Sequence, residues 1–182
     1  MSTWVFGYGS LVDRASLGGT LGRAVVPDDG WHEATVHGWS RRWNYGVAHI
    51  RGWWDVAGEE REVTIVALGM VADGGRANGV VVRVDADELA RLDQRERHYD
   101  RVDVSAQIDV RGSVDGPVVT YVPRPDAIER YATARDAGAA AIEQRYWDLV
   151  DGAFATLGRD RVEEYRATTP APDVPVRVLR RE

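Results

Sequence analysis

The chain contains neither cysteine nor lysine. Without a thiol there is no thiolate nucleophile, no disulfide and no Cys-ligated zinc. Without an amine side chain there is no Schiff-base chemistry and no P-loop lysine. All 23 formal positive charges are therefore arginines. Phenylalanine is scarce, with two residues against seven Trp and seven Tyr. Rings that carry a polar handle suit a lined cleft, and they suit half-buried strands equally well. No apolar run approaches the ~20 residues needed to cross a bilayer. The opening Met1-Ser2-Thr3-Trp4-Val5-Phe6 has no basic region ahead of an apolar run. A cytoplasmic protein without a signal peptide or a membrane partner is expected. A net charge of −6 argues against binding to a nucleic-acid backbone.

The 182 residues fit one domain, taken as 1–182, and 44% apolar with 29% charged composition is ordinary for a globular chain. Trp4 to Tyr8 reads as a strand stopped by glycines, and Glu33 to Tyr45 as a strand pair or one long bent strand. Arg51 to Arg61, with Trp53, Trp54 and Gly58, reads as a loop, and Glu62 to Ala72 as a β-branched strand. Asn78-Gly79 suggests a turn before a strand at Val80 to Val84. Asp85 to Arg97 reads as a helix with Asp85 as N-cap and Glu88 three residues on. Val102 to Val110 alternates like one half-buried strand, and Val118 to Val122 forms another. Asp126 to Leu157 reads as mainly helical, most strongly from Ala139, with a short helix to Tyr165 after Gly158 and a last strand at Val176 to Leu179. Strands first and helices last make an α+β pattern, or a barrel with helices, rather than regular βαβ alternation.

Three familiar motifs fail on spacing. His32 and His37 are five residues apart, which puts two zinc ligands on different faces of a helix or a strand. Arg42 stands where a Gly38-Trp39-Ser40 nucleophile elbow needs glycine. Gly7-Tyr8-Gly9 lacks the third glycine of a dinucleotide site.

Two features remain. The first is Phe6-Gly7-Tyr8-Gly9-Ser10-Leu11, a turn after a strand that can aim successive N–H groups at a carboxylate or an oxyanion. From the glycine spacing alone, a tight turn that holds nothing is the simpler reading. The second is Glu96, which falls on the stripe Leu89, Leu92, Glu96, Tyr99 where an apolar residue is expected. Burial raises a carboxyl pKa towards the range of a general base. The alternative is a structural carboxylate paired with Arg95, Arg97 or Arg101. His98 is a rival base, although a ring at the rim is the simpler reading.

Together these segments resemble the γ-glutamylcyclotransferase-like superfamily. The opening Trp4 to Leu11, the stretch Gly38-Trp39-Ser40-Arg41-Arg42-Trp43, and Leu92-Asp93-Gln94-Arg95-Glu96 with Tyr99 and Arg101 carry the resemblance. The first two are most similar to the glutathione-specific, cation-transport-regulator-like branch. Tyr146, Gly152-Ala153 and Leu157 to Tyr165 are similar to the superfamily's C-terminal helices. The resemblance implies a small mixed β-barrel with flanking helices and an enzyme of the lyase or acyltransferase class. Such an enzyme takes a small γ-glutamyl substrate and releases 5-oxoproline without metal or cofactor. Glu96 matches the acid/base, Phe6 to Leu11 the segment that holds the γ-glutamyl group, and Tyr146 a tyrosine that contacts substrate. Arg97-His98 leads directly to Tyr99 where many relatives have a longer spacer, and the Trp53-Trp54 segment also differs. Both departures bear on the leaving group. Two other readings stay open: a module that binds γ-glutamyl or amino-acid ligands without turnover, and an enzyme that trims a γ-glutamyl protecting group from a pathway intermediate.

Overall fold

The computed structural model describes residues 2–27, 30–56 and 59–181. In chain order the elements are β1 (Thr3–Gly7), α1 (Arg14–Leu21), β2 (Trp31–His37), β3 (Ser40–Val56), β4 (Glu59–Val71) and β5 (Arg76–Val84). They continue with α2 (Ala86–Arg95), β6 (Tyr99–Asp103), β7 (Ile108–Val110), β8 (Val118–Pro123), α3 (Pro125–Asp136) and β9 (Ala140–Glu143). The chain ends with α4 (Gln144–Thr156), α5 (Arg159–Thr168), β10 (Val176–Arg177) and β11 (Arg180–Arg181).

This is the expected α+β class, with the strands divided between two mixed sheets. One has the order β6-β8-β1-β5-β2-β7 and the other β10-β9-β4-β3-β11. In the first, only the β1–β8 pair is parallel. Its two edge strands, β6 and β7, are consecutive in the chain. A flat six-stranded sheet would separate them by about 24 Å, at ~4.8 Å per strand. Five residue steps from Asp103 to Ile108 reach about 18 Å at full extension, and a 3-10 turn at Ser105–Gln107 shortens that further. The sheet therefore curls towards a barrel, with no hydrogen-bonded seam among the described residues. One continuous apolar cluster fills the interior. It joins Val5 and Phe6 of β1 and Val80 to Val82 of β5 to Val66, Leu68 and Met70 of β4 and to Val150 and Phe154 of α4.

Five expectations are corrected. Arg51 to Arg61 is not a loop, because β3 and β4 pair out to Val56 and Glu59. The partner that covers this region is distant in sequence: β11 pairs with Gly52 and Trp53. Gly58 lies outside the described residues. Asn78-Gly79 is strand interior, not a turn. A Cβ on Gly79 would overlap the Gly7 carbonyl and reach the Phe6 ring at 2.9 Å, so glycine serves close strand packing there. The reversal falls instead at Asp73-Gly74-Gly75, where Asp73 accepts from the Gly75 N–H at 3.1 Å and Gly74 has φ +83°.

Val102 to Val110 is two strands on opposite edges, interrupted at the buried Val104, whose backbone leaves the extended region. The Ala-rich stretch inside the expected long helix forms β9, between β4 and β10. Burial between two strands overrides the helix propensity of alanine. The last strand is split into β10 and β11, one on each edge of the second sheet. Glu33 to Tyr45 does hold two strands, but β2 and β3 belong to different sheets.

Candidate active site

β1 ends at Gly7, and the chain turns through Tyr8 and Gly9 into a 3-10 turn at Ser10–Val12. This turn has two buried anchors, Leu11 and Val12, and a third from below. A Cβ on Gly7 would stand 2.7 Å from the Leu11 Cβ, so the turn folds directly over that glycine. Among the described residues, the backbone N–H groups of Gly9, Ser10 and Leu11 donate to no partner, whereas Val12 and Asp13 donate back to Gly9 and Ser10 at 3.0 and 3.3 Å.

α2 begins with the expected capping box: Asp85 accepts from the Glu88 N–H at 2.8 Å, and Glu88 accepts from the Asp85 N–H at 3.0 Å. Leu92 is fully buried and fixes the helix face. Glu96 is the C-cap residue, one turn beyond Leu92 and three residues before Tyr99 at the start of β6. Its side chain is 14% exposed. Burial raises its pKa above the usual carboxylate value, against the opposing pull of Arg95, whose Nε lies 3.0 Å from Oε1. Arg95 also donates from Nη2 to Ser10 Oγ at 3.0 Å, and to Ser16 and Thr20 of α1. One guanidinium thus ties the carboxylate to the glycine turn.

The turn and Glu96 share one small recess of about 30 Å³, lined by Phe6, Tyr8, Gly9, Ser10, Leu11, Leu68, Glu96, Tyr99, Tyr121 and Tyr146. Of the expected site residues Phe6 to Leu11, Glu96 and Tyr146, all are there except Gly7. Four of the seven tyrosines take part, in keeping with the excess of Tyr over Phe. Each is held by its neighbours. Tyr8 donates to the Tyr121 carbonyl at 2.7 Å and Tyr121 to Asp93 at 2.8 Å. Tyr99 donates to the Leu68 carbonyl at 3.3 Å and stacks on Tyr45 at 4.2 Å. Tyr146 crosses the edge of Trp43 at 6.1 Å, and its hydroxyl would stand 3.2 Å from a Cβ on Gly9. Burial first, then the Glu96 charge for Tyr8, push the Tyr8 and Tyr99 hydroxyls well above their ordinary pKa. They act as neutral donors and acceptors.

The sequence reading assigned no part to Tyr121 or Arg41, and it named Arg95 only as a pairing candidate. Tyr121 was read only as one residue of the Val118 to Val122 strand; Arg41 gave no signal beyond its place in the Gly38 to Trp43 stretch. Arg41 is fully buried, with its guanidinium beside the stacked pair Phe154 and Tyr165, 4.8 and 4.9 Å from their ring centres. It donates to the Tyr8 carbonyl at 2.7 Å, to Thr169 Oγ1 at 2.8 Å and to the Asn78 carbonyl. Burial lowers its pKa to about 10, which keeps it charged at neutral pH. His98 is not in the lining: it stacks on His49 at 5.0 Å.

The profile of the ChaC-like protein family matches residues 3–144, most of the chain. The chain belongs to the ChaC-like family. Among solved structures, this ChaC-like protein is similar to a γ-glutamyl cyclotransferase at 13% identity over 94% of this chain and 90% of that one, TM-score 0.57. A yeast γ-glutamyl cyclotransferase specific to glutathione matches at 14% identity over 91% and 97%, TM-score 0.57. YkqA from Bacillus subtilis matches at 18% identity over 91% of this chain, TM-score 0.55. At these identities the likeness is one of fold. The chain spans 53% of YkqA and 64% of an Arabidopsis thaliana protein that matches at 25% identity and TM-score 0.42. The comparison with curated proteins found no match. No helix among the described residues is long and apolar enough to cross a membrane.

Proposed function

We propose that this ChaC-like protein is a γ-glutamylcyclotransferase that cleaves a γ-glutamyl amide by intramolecular aminolysis, giving 5-oxoproline and a free amine. One observation carries the reading: the largely buried Glu96 carboxyl and a turn whose Gly9, Ser10 and Leu11 N–H groups have no partner among the described residues line the same recess. Glu96 takes a proton from the substrate α-amino group as that nitrogen attacks its own γ-carbonyl carbon. The C–N bond to the leaving amine then breaks, and Glu96 returns the proton to that nitrogen. Nucleophile and electrophile belong to one molecule, so the protein's main task is to hold a folded conformer. The N–H groups of Gly9, Ser10 and Leu11 suit either the α-carboxylate or the oxyanion of the tetrahedral intermediate. Tyr146 and Tyr99 close the sides, and the dry wall strengthens each polar contact. The same reading takes the cytoplasm as the setting and no cofactor as a requirement.

The test is a panel of glutathione, γ-glutamyl dipeptides and γ-glutamyl amines, assayed for 5-oxoproline beside Glu96→Gln. The wild type makes 5-oxoproline from at least one of them, and the variant, still folded, loses about 10² or more in turnover. Tight binding of these compounds with no product would instead favour a binding module. Product from larger amines alone would favour removal of a protecting group.

A further inference from the structure

We infer that Arg41 is a positioning residue for this reaction, acting through the Tyr8–Gly9 peptide to strengthen the Gly9 N–H as an anion donor. The inference rests on the cyclotransferase reading of the recess. A buried guanidinium ordinarily has a carboxylate partner. Among the described residues none forms an ion pair with Arg41, and its acceptors are the Tyr8 carbonyl, Thr169 Oγ1 and the carbonyl and side-chain oxygens of Asn78. Holding up two carbonyls does not need a charge. A neutral amide in that place would satisfy them without the cost of desolvating an ion.

The charge has an effect one bond further on. The Tyr8 carbonyl and the Gly9 N–H belong to the same peptide unit. A cationic donor on the oxygen draws electron density from the nitrogen and makes the N–H a stronger donor, by roughly 10–30% per bond in a polarised chain. Gly9 lines the recess, and its N–H has no partner among the described residues. The charge sits out of reach of substrate, behind the peptide it polarises. It packs beside the stacked rings of Phe154 and Tyr165, where it is fully buried. Arg41 also bonds Asn78 of β5, two residues before Val80, which pairs with Gly7 at the end of β1, so the turn is fixed in position as well as polarised.

The experiment compares Arg41→Gln, Arg41→Lys and Phe154→Leu with wild type at a temperature where circular dichroism shows all of them folded. Phe154→Leu loosens the same stack and leaves the Tyr8 contact in place. We expect Arg41→Gln to lose tenfold or more in kcat/KM and to bind 5-oxoproline correspondingly more weakly. The Gly9 amide proton should move upfield by NMR. Arg41→Lys keeps a charge without the fork that reaches Tyr8, so it fails to restore these properties; it also serves if the Gln variant does not fold. Phe154→Leu, matched in loss of Tm, keeps its kcat/KM within about threefold. Unchanged kcat/KM with an unchanged Gly9 resonance in folded Arg41→Gln overturns the inference. Equal losses in Phe154→Leu overturn it too, because they reduce Arg41 to packing. A wild type that makes no 5-oxoproline sinks the cyclotransferase reading alone, and the 5-oxoproline affinity and Gly9 resonance still decide the role of Arg41.

Discussion

At the scale of single residues, the balance between burial and Arg95 sets what Glu96 can do. Burial raises its pKa and Arg95 lowers it, with burial the larger effect. As a base, Glu96 works only when ionised, so kcat/KM should climb along a limb above the pH where an ordinary glutamate titrates. Arg95→Gln removes the opposing charge, and the limb in a pH–rate profile then moves to higher pH. A limb that stays put or moves down contradicts this assignment of the base. Stability carries the same sign. A carboxyl whose folded pKa is raised stabilises the fold below its unfolded pKa, and that contribution is lost as pH rises through the folded value. Glu96→Gln does not titrate, so its denaturation midpoint should gain on wild type between acid and neutral pH. Ser10 is different: its hydroxyl accepts from Arg95, and the turn presents backbone donors. Ser10→Ala should cost only a few-fold in kcat/KM, whereas a loss as large as that of Glu96→Gln would move the anion-binding role to the hydroxyl.

At the scale of elements, the parts that could be read from the sequence are those whose causes are local. The capping box at Asp85 and Glu88 is a side-chain-to-backbone exchange within four residues, and α2 starts there as read. That start fixes the phase that brings Glu96 inward. Asp85→Ala should therefore lower stability by about 1 kcal/mol in chemical denaturation. Activity per folded molecule should hold, because Leu92 still sets the helix phase; a selective fall in kcat would tie the cap to the site. The glycine turn was legible for the same reason, since its chemistry lies within six consecutive residues.

The misread elements have distant causes. β9 is alanine-rich and becomes a strand because β4 and β10 flank it. Trp53 and Trp54 sit in a strand paired with β4 on one side and β11 on the other, with Arg180 over the Trp53 ring at 5.6 Å and Arg177 over the Trp54 ring at 4.6 Å. Asn78-Gly79 carries a turn signature, yet its side-chain amide donates to the Arg161 carbonyl at 2.9 Å, 83 residues on. Tyr121 and Arg41 escaped notice likewise, because what gives each its part is a partner brought in by the fold.

At the scale of the whole molecule, the recess exists only where the two sheets meet. Tyr121 comes from β8 of the first sheet, Tyr8 from the turn that follows β1, and Leu68 from the second sheet, with Tyr99 of β6 bonded across to the Leu68 carbonyl. The next residue, Gly69, is buried at that junction. A Cβ there would overlap Asn44 Oδ1 and the Pro123 Cγ of β8, and would stand 3.1 Å from Pro123 Cδ. Backbone of one sheet thus rests directly on a proline ring of the other. Gly69→Ala must part the sheets or displace the ring, at a cost of about 1–3 kcal/mol for an overpacked core. Because Leu68 moves with it, the Tyr99 bond and the wall of the recess should loosen as well. Tm and kcat/KM are expected to fall together, unlike the separate losses predicted for Asp85→Ala and Glu96→Gln. Pro123→Ala removes the obstructing ring, so the double variant should recover part of both losses in a double-mutant cycle. Strictly additive effects, or a Gly69→Ala protein as stable as wild type, would show that the sheets have slack at this point and that the recess is held by the tyrosine hydrogen bonds alone.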